Sequence, residues 1–315
     1  MKFSSIRRVT VLATTAALIV TGTAACNRTS DASGAGGSQI VLALSTLNNP
    51  FFVELRDGAQ AAADAAGVQL SVVDAQNDSA SQANQLANAA VGNTGVVIVN
   101  PVDSDAISSS VTDLVAAEIP VVAVDRTVND AELASLVSSD NVAGGEQAAV
   151  ALAESMGEQG DVIVLQGVSG TSASRERGEG FERGIAAYPN ITVVASQTAN
   201  FDRAAALDVT SNLLQANAGV TGIFAENDEM ALGAIQALGA RAGEEVKVVG
   251  FDGTADGLAA IDNGTLVATI AQQPALLGQL AIELAVKIMN GETIEDVVPV
   301  EVVSVTRDNV GDFTE

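Results

Sequence analysis

Gln39-Ile40-Val41-Leu42-Ala43-Leu44-Ser45-Thr46-Leu47-Asn48-Asn49-Pro50-Phe51-Phe52 is the stretch on which the fold turns. An apolar run of strand length stops at polar residues. Asn49 then stands before Pro50, a good helix N-cap followed by proline at the first helical position. The stretch therefore reads as a strand feeding a helix. Ala-rich sequence with Leu and Gln at three- and four-residue spacing continues the helix beyond it.

The same rhythm recurs along the chain. Further short, β-branched runs fall at Gln69–Val73, Val96–Val99, Val121–Val124, Leu136–Ser138, Val162–Leu165, Thr192–Ala195, Gly222–Ala225, Val246–Gly250 and Val267–Ile270. Strand–helix alternation predicts an α/β fold built on mostly parallel sheet with helices on both faces. So many strands are too many for the usual single open sheet of this size. The rhythm also runs twice: four βα units over about 39–130, a short crossing run at Leu136–Ser138, then a second series from about 141 to 270. Two similar lobes are expected. Pro274–Asn290 reads as a helix returning to the first lobe, and Val297–Val305 as one late strand serving as a crossover.

Composition excludes whole classes of chemistry. The 315 residues contain no His and one Cys. A Ser-His-Asp triad, a Cys-His pair, His metal ligands, an internal disulfide and a thiolate cluster are all ruled out within the chain. Asp and Glu number 39 against 14 Lys and Arg, a net charge of −25. Such a chain repels phosphate backbones, so no nucleic acid is expected as a partner.

The N-terminus carries an address. Lys2, Arg7 and Arg8 precede an uncharged apolar stretch, Val9 to Ala25, that ends in small residues before Cys26. Residues 1–25 read as a secretory signal peptide, not a spanning helix. Cys26 stands where bacterial lipoproteins carry the lipidated cysteine, although Thr23 occupies a position where Leu is usual. Residues 26–38, rich in Gly, Ser and Ala, read as a lipid-anchored flexible tether. The expected location is the outer face of the cytoplasmic membrane, in the cell envelope.

Ligands of open α/β sheets bind beyond the carboxyl ends of the strands. The residues found there are Asn49, Phe51 and Phe52; Asp125 and Arg126; Arg175 and Arg177; Phe201; Glu226-Asn227-Asp228; Asp252-Gly253; and Gln272. Most have an ordinary structural reading. Asn49 and Asn227 are helix caps, Asp252-Gly253 is turn chemistry, Arg177 could pair with Glu179 or Glu182, and Phe51 and Phe52 could be core. Asp125-Arg126 is different. An acid and a base leaving an apolar strand together suit a neutral polyhydroxyl ligand, since one accepts and the other donates. Aromatic faces stack on the C–H faces of a sugar ring, and the set as a whole matches a small polar ligand in a concave site.

Nucleotide and metal motifs fail. No G-x-x-x-x-G-K-[ST] is present, and Leu47-Asn48-Asn49-Pro50 stands where a dinucleotide fingerprint would follow the first strand. Gly178-Glu179-Gly180 lacks the spacing of a phosphate cradle. Asp252 to Asn263 fails as a calcium loop, because Thr254 and Asn263 occupy positions that need strong ligands. No cofactor, no metal and no catalytic residue is expected, and no carboxylate pair stands out for glycoside hydrolysis.

Several segments resemble the pentose/hexose-binding family of periplasmic binding proteins that serve bacterial ABC importers, its ribose-binding members above all. They are Ser45 to Phe52, Asn100-Pro101-Val102-Asp103-Ser104-Asp105-Ala106, Thr171 to Phe181, Asn227 to Ala234 and Val248 to Thr254. The similarity runs from about Gln39 to Val305. It implies a type I periplasmic-binding-protein fold: two Rossmann-like lobes, a three-strand hinge and a sugar in the cleft. The lobes implied are 39–139 with 273–300, and 140–272 with 301–315. The family's ligand residues fall on Asn49, Asp125, Arg126, Arg177, Asn227 and Asp252, with Phe51, Phe52 and Phe201 as aromatic walls and Gln272 at the hinge. The implied ligand is D-ribose; allose, xylose or a furanose signal are the alternatives. The implied partner is an ABC permease, with a chemoreceptor as a further candidate, and the implied state is a monomer. A regulator's sensor domain of the same fold would need an N-terminal helix-turn-helix, and here a secretion signal occupies that place.

Overall fold

The computed structural model describes residues 39–313. The segments read as signal peptide and tether, with Cys26 between them, lie outside the described residues, as do residues 314 and 315.

Every apolar run named above becomes a strand. In chain order they are β1 (Gln39–Leu44), β2 (Leu70–Asp74), β3 (Thr94–Val99), β4 (Val121–Val124), β5 (Ser135–Ser139), β6 (Gln159–Gln166), β7 (Asn190–Thr198), β8 (Val220–Ala225), β9 (Lys247–Asp252), β10 (Ala268–Ala271), β11 (Val297–Val300) and β12 (Val303–Thr306). The helices are α1 (Pro50–Ala66), α2 (Ser79–Val91), α3 (Ser108–Ala116), α4 (Asn141–Ser155), α5 (Ser172–Ile185), α6 (Arg203–Ala216), α7 (Asp228–Leu238), α8 (Ala255–Asp262) and α9 (Pro274–Met289). They build two sheets, each the centre of one lobe. The first has the order β11-β5-β4-β3-β1-β2, the second β12-β10-β9-β8-β6-β7. All pairings are parallel except β10 with β12.

The continuous apolar runs are explained by burial on both faces. Ile40, Leu42 and Leu44 of β1 pack under α1 and α9, whereas Val41 and Ala43 face the core shared with α2 and α3. In the second lobe, Ile163 and Leu165 of β6 face the core beneath α6 and α7, and Val162 and Val164 face that beneath α4 and α5. A side-chain period of two sends neighbours to opposite faces, and both faces are covered by helices.

Two expectations need correction. Val297–Val305 is not one strand. β11 adds to the first sheet beside β5, the chain then crosses at Glu301 and Val302, and β12 runs antiparallel to β10 in the second. The fourth βα unit has no helix: β4 passes through a loop at residues 125–134 straight into β5, which pairs beside it. The chain thus passes between the sheets three times, after β5, β10 and β11. The passages lie side by side. Asp140 N–H donates to Val300 O at 3.1 Å, and Gln273 Nε2 donates to Glu301 O at 3.1 Å. As the sequence suggested, α9 returns to the first lobe and packs on α1. The approach is close: a Cβ on Gly278 would fall 2.1 Å from Leu55 O.

Candidate functional site

The strands of both sheets point their carboxyl ends at one cleft. A cavity lies there, lined by Asn49, Phe51, Phe52, Asp125, Arg126, Ala173, Arg177, Phe201, Asn227, Asp252 and Gln272. The cavity thus gathers the ten residues on which the resemblance places the ligand contacts and adds Ala173, whereas Glu226, Asp228 and Gly253, also at strand ends, do not line it. Arg175, two positions before Arg177, is exposed instead.

Local structure explains each placement. Asn49 caps α1 through its side chain, accepting from Phe51 N–H at 2.9 Å, so the first helical turn puts Phe51 and Phe52 at the cleft. Their rings meet edge to face with centroids 5.1 Å apart. Asn227 caps α7 in the same way, with its Oδ1 accepting from Met230 N–H, which leaves Nδ2 buried without a partner. The cap reading and the site reading hold together, because a cap uses one oxygen and leaves the amide nitrogen free.

Asp125 has φ 65° and Asp252 φ 120°, both on the left-handed side that L-residues avoid. Phe201, with φ 56°, is a third such residue. Backbone held there costs of order 1–3 kcal/mol per residue and persists where the surroundings over-determine it. Its effect is to turn these side chains into the cleft at a strand's end.

The two arginines are fixed from behind. Arg126 Nη1 donates to Pro101 O at 3.0 Å, and its Nε lies 3.5 Å from Asp125 Oδ2, buried and outside hydrogen-bond geometry. Asn100 Nδ2 donates to Asp125 Oδ2 at 3.0 Å and orients that carboxylate. Arg177 Nε donates to Asn141 Oδ1 at 2.9 Å and Nη1 to the main-chain oxygen of Glu226 at 2.7 Å. Its guanidinium stacks on Phe251 at 3.9 Å and lies 3.5 Å from Asp252 Oδ1. It makes no pair with Glu179, which bonds Arg183 on the outer face. Gly145 and Gly180 let α4 and α5 approach closely enough for this, since a Cβ on Gly180 would fall 2.1 Å from Val142 O.

Gln272 Nε2 donates to Asp252 Oδ1 at 2.7 Å, and Gln272 Oε1 is buried without a partner. Burial pushes the Asp125 and Asp252 carboxyls above their ordinary range, and the facing arginines pull them back. Burial likewise lowers Arg126, and Asp125 offsets it. Two carboxylates and two guanidiniums leave the cavity locally balanced in charge.

Sequence reasoning missed Ala173, Asn100, Asn141 and the supporting role of Glu226. Ala173 carries no polar signal. Asn100 ends the apolar run of β3, a position that could have marked it. Asn141 follows the first passage between the sheets, and nothing local distinguishes it.

A family model described as "Periplasmic binding protein domain" matches residues 40–293. The chain belongs to this family. The ribose import binding protein of Escherichia coli (strain K12) is 45% identical over 283 residues, covering 90% of this chain and 95% of that one. Among solved structures, the Caulobacter myo-inositol binding protein bound to myo-inositol superposes with a TM-score of 0.84 at 35% identity, over 89% of this chain and 96% of that one. A periplasmic solute-binding protein from Actinobacillus succinogenes with bound D-allose gives 0.82 at 33% identity, over 87% and 99%. The two-lobed type I periplasmic-binding-protein fold is shared with both.

Proposed function

We propose that this chain is the extracytoplasmic substrate-binding component of an ABC sugar importer and that it takes D-ribose in the interlobe cleft. The observation that carries the reading is the cavity's chemistry. Two Asp and two Arg in balance, with free buried groups on Arg126, Asn227 and Gln272, stand between Phe51 and Phe52 on one lobe and Phe201 on the other. Balanced charge favours a neutral ligand, and paired donors and acceptors favour hydroxyls. The E. coli relative, named for ribose import, supports the choice of sugar.

The moving units in this reading are 39–139 with 273–300, and 140–272 with 301–315, hinged at the three passages. Sugar docks on one lobe, the other closes over it, and binding shifts the open–closed population. The closed pair is presented to a membrane permease and the sugar leaves unaltered, so the protein is not an enzyme. In this reading Cys26 carries a lipid anchor and residues 26–38 serve as the tether. It acts as a monomer, and a chemoreceptor is a further candidate partner.

Titration calorimetry with ribose and its epimers tests the assignment. Micromolar or tighter binding of ribose alone is expected, and no heat with ribose would sink it. The second reading, another monosaccharide such as allose or a cyclic polyol, is favoured by the ligands in the two solved relatives. Ribose displaced by allose or xylose at equal concentration would select it.

A further inference from the structure

Asn141 is buried and does not line the cavity. It is the first residue of α4, where the chain has just made its first passage between the sheets. An asparagine at a helix start ordinarily serves as a cap. Here Asp140 already does so, its Oδ1 accepting from Ala143 N–H at 3.0 Å. The Asn141 side chain serves two other groups, both on α5. Its Oδ1 accepts from Arg177 Nε at 2.9 Å, and its Nδ2 donates to Glu176 Oε2 at 3.2 Å. Two successive residues of one helix thus hold an amide carried by another. The partners fix which way that amide faces, since a guanidinium only donates and a carboxylate only accepts.

The consequence falls on Arg177. Its Nε is engaged by Asn141, its Nη1 by the Glu226 main-chain oxygen and its face by the Phe251 ring. Nη2 donates to no described residue, while the side chain lines the cavity. An arginine left loose samples many rotamers, and fixing it before a ligand arrives removes that ordering cost from binding. The acid beside it is held in the same manner. Asp252 Oδ1, 3.5 Å from Arg177 Nη1, accepts from Gln272 Nε2 at 2.7 Å, and Gln272 stands directly after β10, where the second passage begins. Each member of this buried ion pair is therefore gripped by an amide side chain from a passage between the lobes.

We propose that Asn141, keyed by Glu176, is a positioning residue for sugar recognition: it fixes the Arg177 guanidinium so that the remaining N–H groups are presented to the sugar. The inference rests on the sugar-binding reading. It makes the stretch that joins the lobes part of the recognition apparatus, although no atom of Asn141 lines the cavity.

The test uses the wild type, Asn141→Ala, Glu176→Ala and Glu176→Gln, with circular dichroism to check folding. Ribose affinity is measured by calorimetry. The Nε–Hε resonance of Arg177, assigned by its absence in Arg177→Lys, is recorded by NMR without sugar. Asn141→Ala is expected to bind ribose roughly tenfold more weakly, the effect of one lost hydrogen bond to a charged group. Its Arg177 resonance is expected to shift and to exchange faster with solvent. Glu176→Ala is expected to lose a few-fold in affinity, and Glu176→Gln, which keeps an acceptor for Asn141 Nδ2, to recover most of that loss. Wild-type affinity in Asn141→Ala overturns the inference. So does weaker binding with the Arg177 resonance unmoved, because a general disturbance of packing would then be the cause. Equal losses in the two Glu176 variants also overturn it, since charge and not the keyed amide would be acting. If Asn141→Ala does not fold, the Glu176 pair and their Arg177 resonances decide. A wild type that binds no ribose overturns the functional reading, whereas the resonance, read without sugar, reports on the hold of Asn141 separately.

Discussion

Arg126, carried by the first lobe, holds its guanidinium carbon 5.5 Å from the ring centre of Phe201 in the second. The same guanidinium lies 5.2 Å from Phe52, so one cation sits between an aromatic ring of each lobe. Phe201 can reach it because Gly167 leaves room: a Cβ there would fall 2.0 Å from the ring. Phe201→Ala is expected to weaken sugar binding by about 2 kcal/mol or more, from the lost wall and the lost cation–π contact. Gly167→Ala is expected to displace the ring and give a smaller loss of the same kind. Calorimetry checks both; undiminished affinity in Phe201→Ala would show that the ring is not part of the grip.

Arg177 is held on several sides, by Asn141, the Glu226 main-chain oxygen, Asp252 and the Phe251 ring. Arg177→Ala leaves Asp252 buried with Gln272 as its remaining hydrogen-bond partner. Binding is expected to weaken by about 2–5 kcal/mol. Arg177→Lys is expected to recover only part of it, because an ammonium cannot reach Asn141 and the Glu226 carbonyl together. Dissociation constants for the two variants test this, and equal values would contradict the role of the planar fork.

Three hydrogen bonds tie the lobes together beside the cavity. Ser104 N–H donates to Gly170 O at 3.1 Å, Ser172 N–H donates to Ser104 Oγ at 3.2 Å, and Thr127 N–H donates to Ser172 Oγ at 3.0 Å. Neither serine lines the cavity. Ser104→Ala and Ser172→Ala are each expected to destabilise the closed form by about 0.5–1.5 kcal/mol, read as a two- to tenfold faster release of sugar. The melting temperature without sugar should hold steady. Stopped-flow release kinetics decide it, with an unchanged rate counting against a latch.

Asp228 sets a pH dependence of stability rather than of binding. Its Oδ2 accepts from Thr254 N–H at 2.8 Å and from the Thr254 hydroxyl at 3.0 Å, and Oδ1 accepts from Thr269 Oγ1 at 2.7 Å. Burial nevertheless raises it from 3.8 to about 6. The folded form then holds a proton that the unfolded chain has released, so this group's contribution to stability is fully present below about pH 4 and is lost as pH rises through 6. The contribution is on the order of 3 kcal/mol. Melting temperatures across that window should fall for the wild type and fall less steeply for Asp228→Asn. Asp252, pushed in the same direction, supplies a remaining slope. Identical slopes would remove Asp228 as the cause.

Much of this was legible along the chain because each strand ends where its apolar run ends. Ile40 to Leu44 announces a strand covered on both faces, and Asn49-Pro50 announces the helix that follows. Reading the residues just beyond each run, together with the family resemblance, led to the ten side chains that the structure collects in one cavity. Two errors have a common origin. Val297–Val305 is valine-rich on both sides of Glu301, and one charged residue inside an alternating run does not record that the chain changes sheet at Glu301 and Val302. β4 ends like the strands before it, and nothing in its composition says that a loop, not a helix, comes next.

The order of strands and helices, the absence of histidine chemistry and the polar residues at strand ends were set by the amino-acid sequence itself, since periodicity and composition are local properties. Tertiary structure decided the rest. It brought Arg126 of one lobe to Phe201 of the other and turned Arg177 inward onto Asn141. These depend on how two sheets face each other across three short passages, a relation between residues far apart in the chain that no local pattern encodes.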